Sequence, residues 1–146
     1  MQNFIKISCL FIIVLLNSCN KCEGIACTTA PPSFTLELVD AITGVNLFTT
    51  GKYKASNIKV TDELGQNVYT LFNAEDNRNT LAIIAKDKEG MQTLTLTIGK
   101  NLSIPIQIKV GFGTSGCCSS YHAEDVAVQG YVTEIVNETG IIKIKI

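Results

Sequence analysis

The chain has 146 residues, the size of one ordinary domain, and its 12 basic and 13 acidic side chains leave it near neutrality. That balance excludes the basic footprint of a nucleic-acid binder, and a hydrophobic content of 46% excludes an acidic disordered chain. A single His excludes active sites that need two, among them the His-Glu-x-x-His zinc helix.

The first element is a targeting segment. Residues 1–18 carry one charge, Lys6, and no acid. From Ile7 to Leu16 every residue except Ser8 is apolar. A basic start, an apolar run and small polar residues after it form the pattern of a secretory signal. The run is too short to span a bilayer, which takes about 20 apolar residues. Next comes Leu16-Asn17-Ser18-Cys19. It resembles the bacterial lipobox, with Leu three residues before the Cys and a small residue just before it. Asn17 departs from the usual small or aliphatic residue and is similar to the relaxed lipoboxes of Bacteroidota. The resemblance implies that Cys19 becomes the mature N-terminus, carrying a diacylglycerol thioether and an acylated amine, palmitate for example. Two or more acyl chains hold stably where one holds only marginally. It also implies attachment to the outer membrane, with the periplasmic and surface leaflets both open. An ordinary signal peptide, with Cys19 in a disulfide, is the plainer alternative.

Residues 19–32 read as a lipidated Cys and a tether. Thr28-Thr29-Ala30-Pro31-Pro32 shows no periodicity. Residues 33–146 read as one all-β domain, an antiparallel β-sandwich of immunoglobulin-like or similar type. The chain from Cys19 onward contains 14 Ile, 9 Val and 15 Thr, types that favour strands. About eight strands are expected: 33–39, 56–61, 67–73, 80–85, 91–98, 102–111, 124–136 and 141–146. Period-two alternation marks Phe34-Leu36-Leu38, Leu94-Leu96-Ile98, Leu102-Ile104-Ile106-Ile108-Val110 and Ile142-Ile144-Ile146. Turn signals fall between the runs at Asp62–Gln66, Lys86–Gly90, Gly99–Asn101 and Asn137–Gly140. Pro105 lies inside a strand pattern, so an edge strand or a bulge is expected there. Gly111 to Gly116 reads as a glycine-rich loop.

Four cysteines remain once Cys9 leaves with the signal and Cys19 takes the lipid: Cys22, Cys27, Cys117 and Cys118. Export favours disulfides, and four Cys allow three pairings. The expectation is two bridges joining 22/27 to 117/118, in an order the sequence leaves open. The third pairing needs a strained vicinal ring at Cys117–Cys118. A zinc site from these thiols and His122 lacks the usual knuckle spacing. Thiol-redox or nucleophilic chemistry at Cys117, Cys118 and His122 lacks the Cys-x-x-Cys spacing and an orienting partner. His122 is expected in a loop.

The acidic pairs Asp62-Glu63, Glu75-Asp76, Asp87 with Glu89, and Glu124-Asp125 read as solvated turn acids rather than as a catalytic carboxylate pair across a cleft. Glu75–Asn79 lacks the spacing of a calcium loop. Phe48, Tyr53, Phe112 and Tyr121 form a candidate apolar ligand patch, with capping of the sandwich end as the plainer reading of Leu47, Phe48 and Tyr53. The chain resembles small lipoproteins of Bacteroidota that combine an N-terminal Cys cluster, an Asn46-Leu47-Phe48-x-x-Gly51-x-Tyr53 stretch and a late Cys117-Cys118. That resemblance implies no activity. The resulting expectation is a non-enzymatic, lipid-anchored binding or structural module. It touches the membrane through its lipid and has an envelope protein or glycan as partner. No nucleic acid, cofactor or metal is expected. The alternative is a metal-binding or thiol-redox protein built on Cys117, Cys118 and His122.

Overall fold

The computed structural model describes residues 22, 24–74 and 78–146. The signal segment, Cys19 and Glu75-Asp76-Asn77 lie outside the described residues. Among those described there are nine strands and no α-helix: β1 (Ser33–Val39), β2 (Ile58–Asp62), β3 (Thr70–Asn73), β4 (Thr80–Ile84), β5 (Gly90–Ile98), β6 (Leu102–Ser115), β7 (Cys118–Val128), β8 (Val132–Val136) and β9 (Ile141–Lys145). They form a five-stranded sheet, β3-β4-β1-β9-β8, and a four-stranded sheet, β2-β5-β6-β7. Every pairing is antiparallel except β1 with β9.

Alternation makes the core. One face of β6 buries Leu102, Ile104, Ile106, Ile108 and Val110, while Ser103, Pro105, Gln107 and Lys109 point away. Leu94, Leu96 and Ile98 of β5 lie opposite Ile106, Ile104 and Leu102. Leu36 and Leu38 of β1, Ile83 of β4 and Ile144 of β9 join them from the other sheet in one cluster. Each such side chain contributes about 1.5–3 kcal/mol when removed from water.

The two sheets share a corner. Val68 N donates to Val60 O of β2, and Tyr69 O accepts from Ile84 N of β4. One extended segment thus leaves the smaller sheet and enters the larger. The expected strand 67–73 is divided accordingly, and only Thr70–Asn73 belongs to the larger sheet.

Four other expectations are corrected. The strand expected over 124–136 is two strands, because Gly130 at φ +80 turns the chain from the smaller sheet to the larger. The glycine-rich stretch 111–116 is not a loop, since β6 continues through it to Ser115, paired with β7. His122 is therefore a strand residue. Pro105 lies in an internal strand, opposite Thr95 of β5. Its carbonyl accepts from Gln129 N, beyond the last β6–β7 pair at Ile106 and Val128. A residue's N and O point to the same side of a strand, so the missing N–H faces the place where the β7 ladder has ended.

Candidate functional site

The β6–β7 hairpin outgrows its sheet. Strand β5 stops pairing at Gly90, opposite Val110. Beyond that point Gly111–Ser115 pairs only with Cys118–His122, so a two-stranded ribbon projects from one end of the sandwich. Five residues at about 3.3 Å each carry its tip roughly 15 Å past the sheet. Gly116, at φ +62, closes the tip in a two-residue turn with Cys117.

Both bridges sit at that tip. Cys22 pairs with Cys117 and Cys27 with Cys118, with Cα separations of 5.2 and 5.5 Å. The 22/27 to 117/118 cross-link is present, and the order left open in the sequence is now set. From Cys27 the chain returns to the sandwich, where Pro32 O accepts from Ala85 N and β1 begins. The segment 24–32 has no strand of its own and is held at both ends.

The ribbon has an aromatic face and a charged face. Phe112 and Tyr121 form a cross-strand pair with ring centroids 4.9 Å apart. Phe112 is 52% exposed, whereas Tyr121 packs against the edge of the core. On the other face a bulge leaves Glu124 without a partner, because Lys109 pairs with Asp125 and Val110 with Ala123. The extra residue re-aims the Glu124 carboxylate across the backbone of Gly111. There Lys109 Nζ lies 2.6 Å from Oε2, and His122 Nε2 lies 3.9 Å from Oε1. The hydrogen bond from Lys109, and then its charge, lower the Glu124 carboxyl below its ordinary range. The same pair raises the Lys109 ammonium above its own. Glu124-Asp125 is thus a mid-strand bulge rather than a turn.

The residues of the thiol alternative do not converge. His122 lies four residues along β7 from Cys118, roughly 13 Å at strand rise. Both cysteines are in disulfides, and the imidazole faces Glu124. Among the described residues no group of three or more His, Cys, Asp and Glu side chains is placed to hold a metal ion.

The four aromatic candidates fall into two places. Phe48 and Tyr53 lie at the opposite end of the sandwich from the ribbon, where Tyr53 lines a hollow with Ile98, Gly99 and Asn101. Phe112 is about 30 Å away along β6. Phe48 packs on Tyr53 and Phe72 at centroid distances of 6.2 and 5.0 Å, so Leu47, Phe48 and Tyr53 cap the core.

Asn46, which the sequence marks only as the first residue of the Asn46–Tyr53 stretch, organises this cap. It is 8% exposed. Its Nδ2 reaches Glu37 Oε1 at 3.1 Å, Arg78 O at 2.9 Å and Asn79 O at 3.2 Å. Its Oδ1 accepts from Phe48 N and Thr49 N. Beside the cap an open hollow of about 310 Å³ is lined by Lys52, Tyr53, Lys54 and Lys100. Lys52 Nζ lies 5.8 Å from the Tyr53 ring centre.

Other acids are structural. Asp40 Oδ1 accepts from Ile42 N, Thr43 N and Thr43 Oγ1 and closes the turn after β1. Asp62 Oδ1 accepts from Leu64 N and Gln66 N, while Oδ2 meets Lys86 Nζ at 2.6 Å. Both carboxyls are held below their ordinary range, Asp40 chiefly by Thr43 N and Asp62 chiefly by Lys86. Among the described residues no helix is long and apolar enough to cross a membrane. Comparison with known proteins finds no matching family model, curated sequence or solved structure.

Proposed function

We propose that this chain is a lipid-anchored, non-enzymatic protein of the bacterial outer envelope, acting as a binding or structural module. The observation that carries the reading is the pair of disulfides at the ribbon tip. Such bridges form and persist in oxidising compartments. They also end three residues from Cys19, the position that the lipobox resemblance marks for acylation. A tether stapled to a rigid ribbon transmits an anchor to a folded body. The polar groups of the body support a non-catalytic role: Asp40, Asp62 and Asn46 are committed to backbone groups, and Glu124 to Lys109. The end far from the tether offers an envelope protein or glycan the open hollow of Lys52, Tyr53, Lys54 and Lys100.

The test is acylation. Full-length protein and Cys19→Ala are expressed in a bacterial host with labelled fatty acid, and the membranes are fractionated. The wild-type chain takes the label and floats with membranes. The variant takes no label and keeps its leader. Unchanged fatty-acid incorporation in the variant overturns the reading.

A further inference from the structure

The lipid-anchor reading, on which this inference rests, fixes how far the folded body can stand from the bilayer. Cys19 and Cys22 are three residues apart. Extended chain spans at most about 3.6 Å per residue, so the bridge at Cys22 lies within roughly 11 Å of the acylated residue. Cys22 is bonded to Cys117 at the ribbon tip, and Cys27 to Cys118 beside it. Two bridges to adjacent residues prevent the ribbon from swivelling about one bond. The tip is therefore the part of the fold that stays at the membrane surface.

Its chemistry suits that position. No charged residue occurs from Gly24 to Leu36 or from Val110 to Tyr121. These stretches contain the whole ribbon tip and all of the clamped segment except Cys22 and Glu23, at the first bridge. Lys21 and Glu23 flank the first bridge with opposite signs. Two large apolar side chains stand open there, Ile25 at 50% and Phe112 at 52% exposure. An amphipathic surface without charge enters the headgroup region with little desolvation cost and gains from burying its apolar groups. The first charges met along the ribbon are Glu124 and Lys109, back toward the sheet.

We propose that the β6–β7 ribbon tip, with Ile25 and Phe112, is a membrane-contact surface that rests in the interfacial layer of the bilayer holding the Cys19 lipid. The sandwich then stands upright on its ribbon. Its capped end, with Lys52, Lys54 and Lys100, faces away from the bilayer. Because the ribbon tip is uncharged and Lys21 and Glu23 beside it carry opposite signs, the contact is with the lipid interface itself and does not depend on anionic headgroups.

The chain contains no Trp, which permits a direct test. Phe112→Trp is compared with Ile42→Trp, at a 95% exposed position in the turn after β1 at the far end. Both are prepared as full-length acylated protein. Each is reconstituted into phosphatidylethanolamine vesicles containing phosphatidylglycerol, with and without brominated acyl chains. The Phe112→Trp emission should shift to the blue and be quenched at least about twofold more than that of Ile42→Trp. The difference should survive replacement of phosphatidylglycerol by phosphatidylcholine. Equal quenching of the two variants, in protein that is acylated and floats with the vesicles, overturns the contact surface and leaves the anchor standing. Quenching that vanishes without phosphatidylglycerol overturns it too. Protein that carries no acyl group on Cys19 and does not float overturns the anchor, and the contact surface with it.

Discussion

Asn46 spends all of its hydrogen-bonding capacity inside the fold, with Nδ2 shared among three acceptors and Oδ1 taking two backbone N–H groups. Asn46→Asp removes the donor and sets a carboxylate against Glu37 and two carbonyls. A loss of about 2–4 kcal/mol is expected at neutral pH. The new carboxyl should have a raised pKa in the folded state. Its penalty is therefore full above that pKa and fades as pH falls. Urea unfolding at pH 7 and pH 5 checks this, and an equal loss at both would refute the assignment. Gly111 is the second case. A Cβ there would run into the Glu124 carboxylate, the mobile end of a flexible side chain. Gly111→Ala should thus cost little stability, below about 1 kcal/mol. It should let the Glu124 carboxyl return to its ordinary range, read by NMR titration. Neither role was legible beforehand. The partners of Asn46 at Glu37, Arg78 and Asn79 are remote in sequence, and the bulge that brings Glu124 over Gly111 leaves no mark in the alternation.

Among the elements, β6 shows both what alternation reveals and where it fails. Its core half was plain from the spacing of Leu102 to Val110. Its ribbon half was hidden, because glycine disfavours strands. The pairing with β7 and the bridges at the tip hold that half in place. The cysteines were legible as two groups that meet, but their order depends on which way the hairpin presents its turn. Their energetics should be coupled. With either bridge intact, the long loop of more than 90 residues stays closed and the second bridge closes only a small ring. In the chain-entropy model one removal costs about 2.5 kcal/mol and both together about 7. A cycle of Cys22→Ala/Cys117→Ala, Cys27→Ala/Cys118→Ala and the quadruple variant measures it. Strictly additive losses would mean that the tip is not a single closed unit.

For the whole molecule, three carboxyls are held below their ordinary values: Asp40, Asp62 and Glu124. Their contribution to stability is complete above the ordinary carboxylate range and is lost as pH falls through the lowered values. Lys109 is shifted upward, so its contribution is complete below the ordinary lysine value of 10.5 and is lost only above it. Between about pH 5 and 10 these groups leave stability flat, and below about pH 4 it should fall. Asp40→Asn/Asp62→Asn should show a shallower acid limb in chemical denaturation. An acid limb as steep as the wild type's would place the acid sensitivity elsewhere. The all-β class and the shared core were legible in the period-two runs. The parallel β1–β9 pairing was not, because strand patterns carry no information on neighbour order.

The cross-linked tip also sets a problem of timing. On the envelope reading proposed above, a chain threaded outward from its N-terminus presents Cys22 and Cys27 to the oxidant before their partners, five residues apart. Their true partners follow about 90 residues later. Ring closure over so short a span is fast, so the Cys22–Cys27 pair is the bond that chemistry reaches before the fold exists. The mature arrangement then requires one thiolate of the late pair to attack that early bond, forming one cross-link and releasing the other early cysteine as a thiolate. A second two-electron oxidation by the compartment's thiol oxidant joins that thiolate to the remaining late cysteine. On that envelope reading, maturation should accordingly be limited by the exchange rather than by the first oxidation. A host that oxidises thiols but lacks an isomerase should accumulate the short ring, visible by pulse labelling and non-reducing electrophoresis.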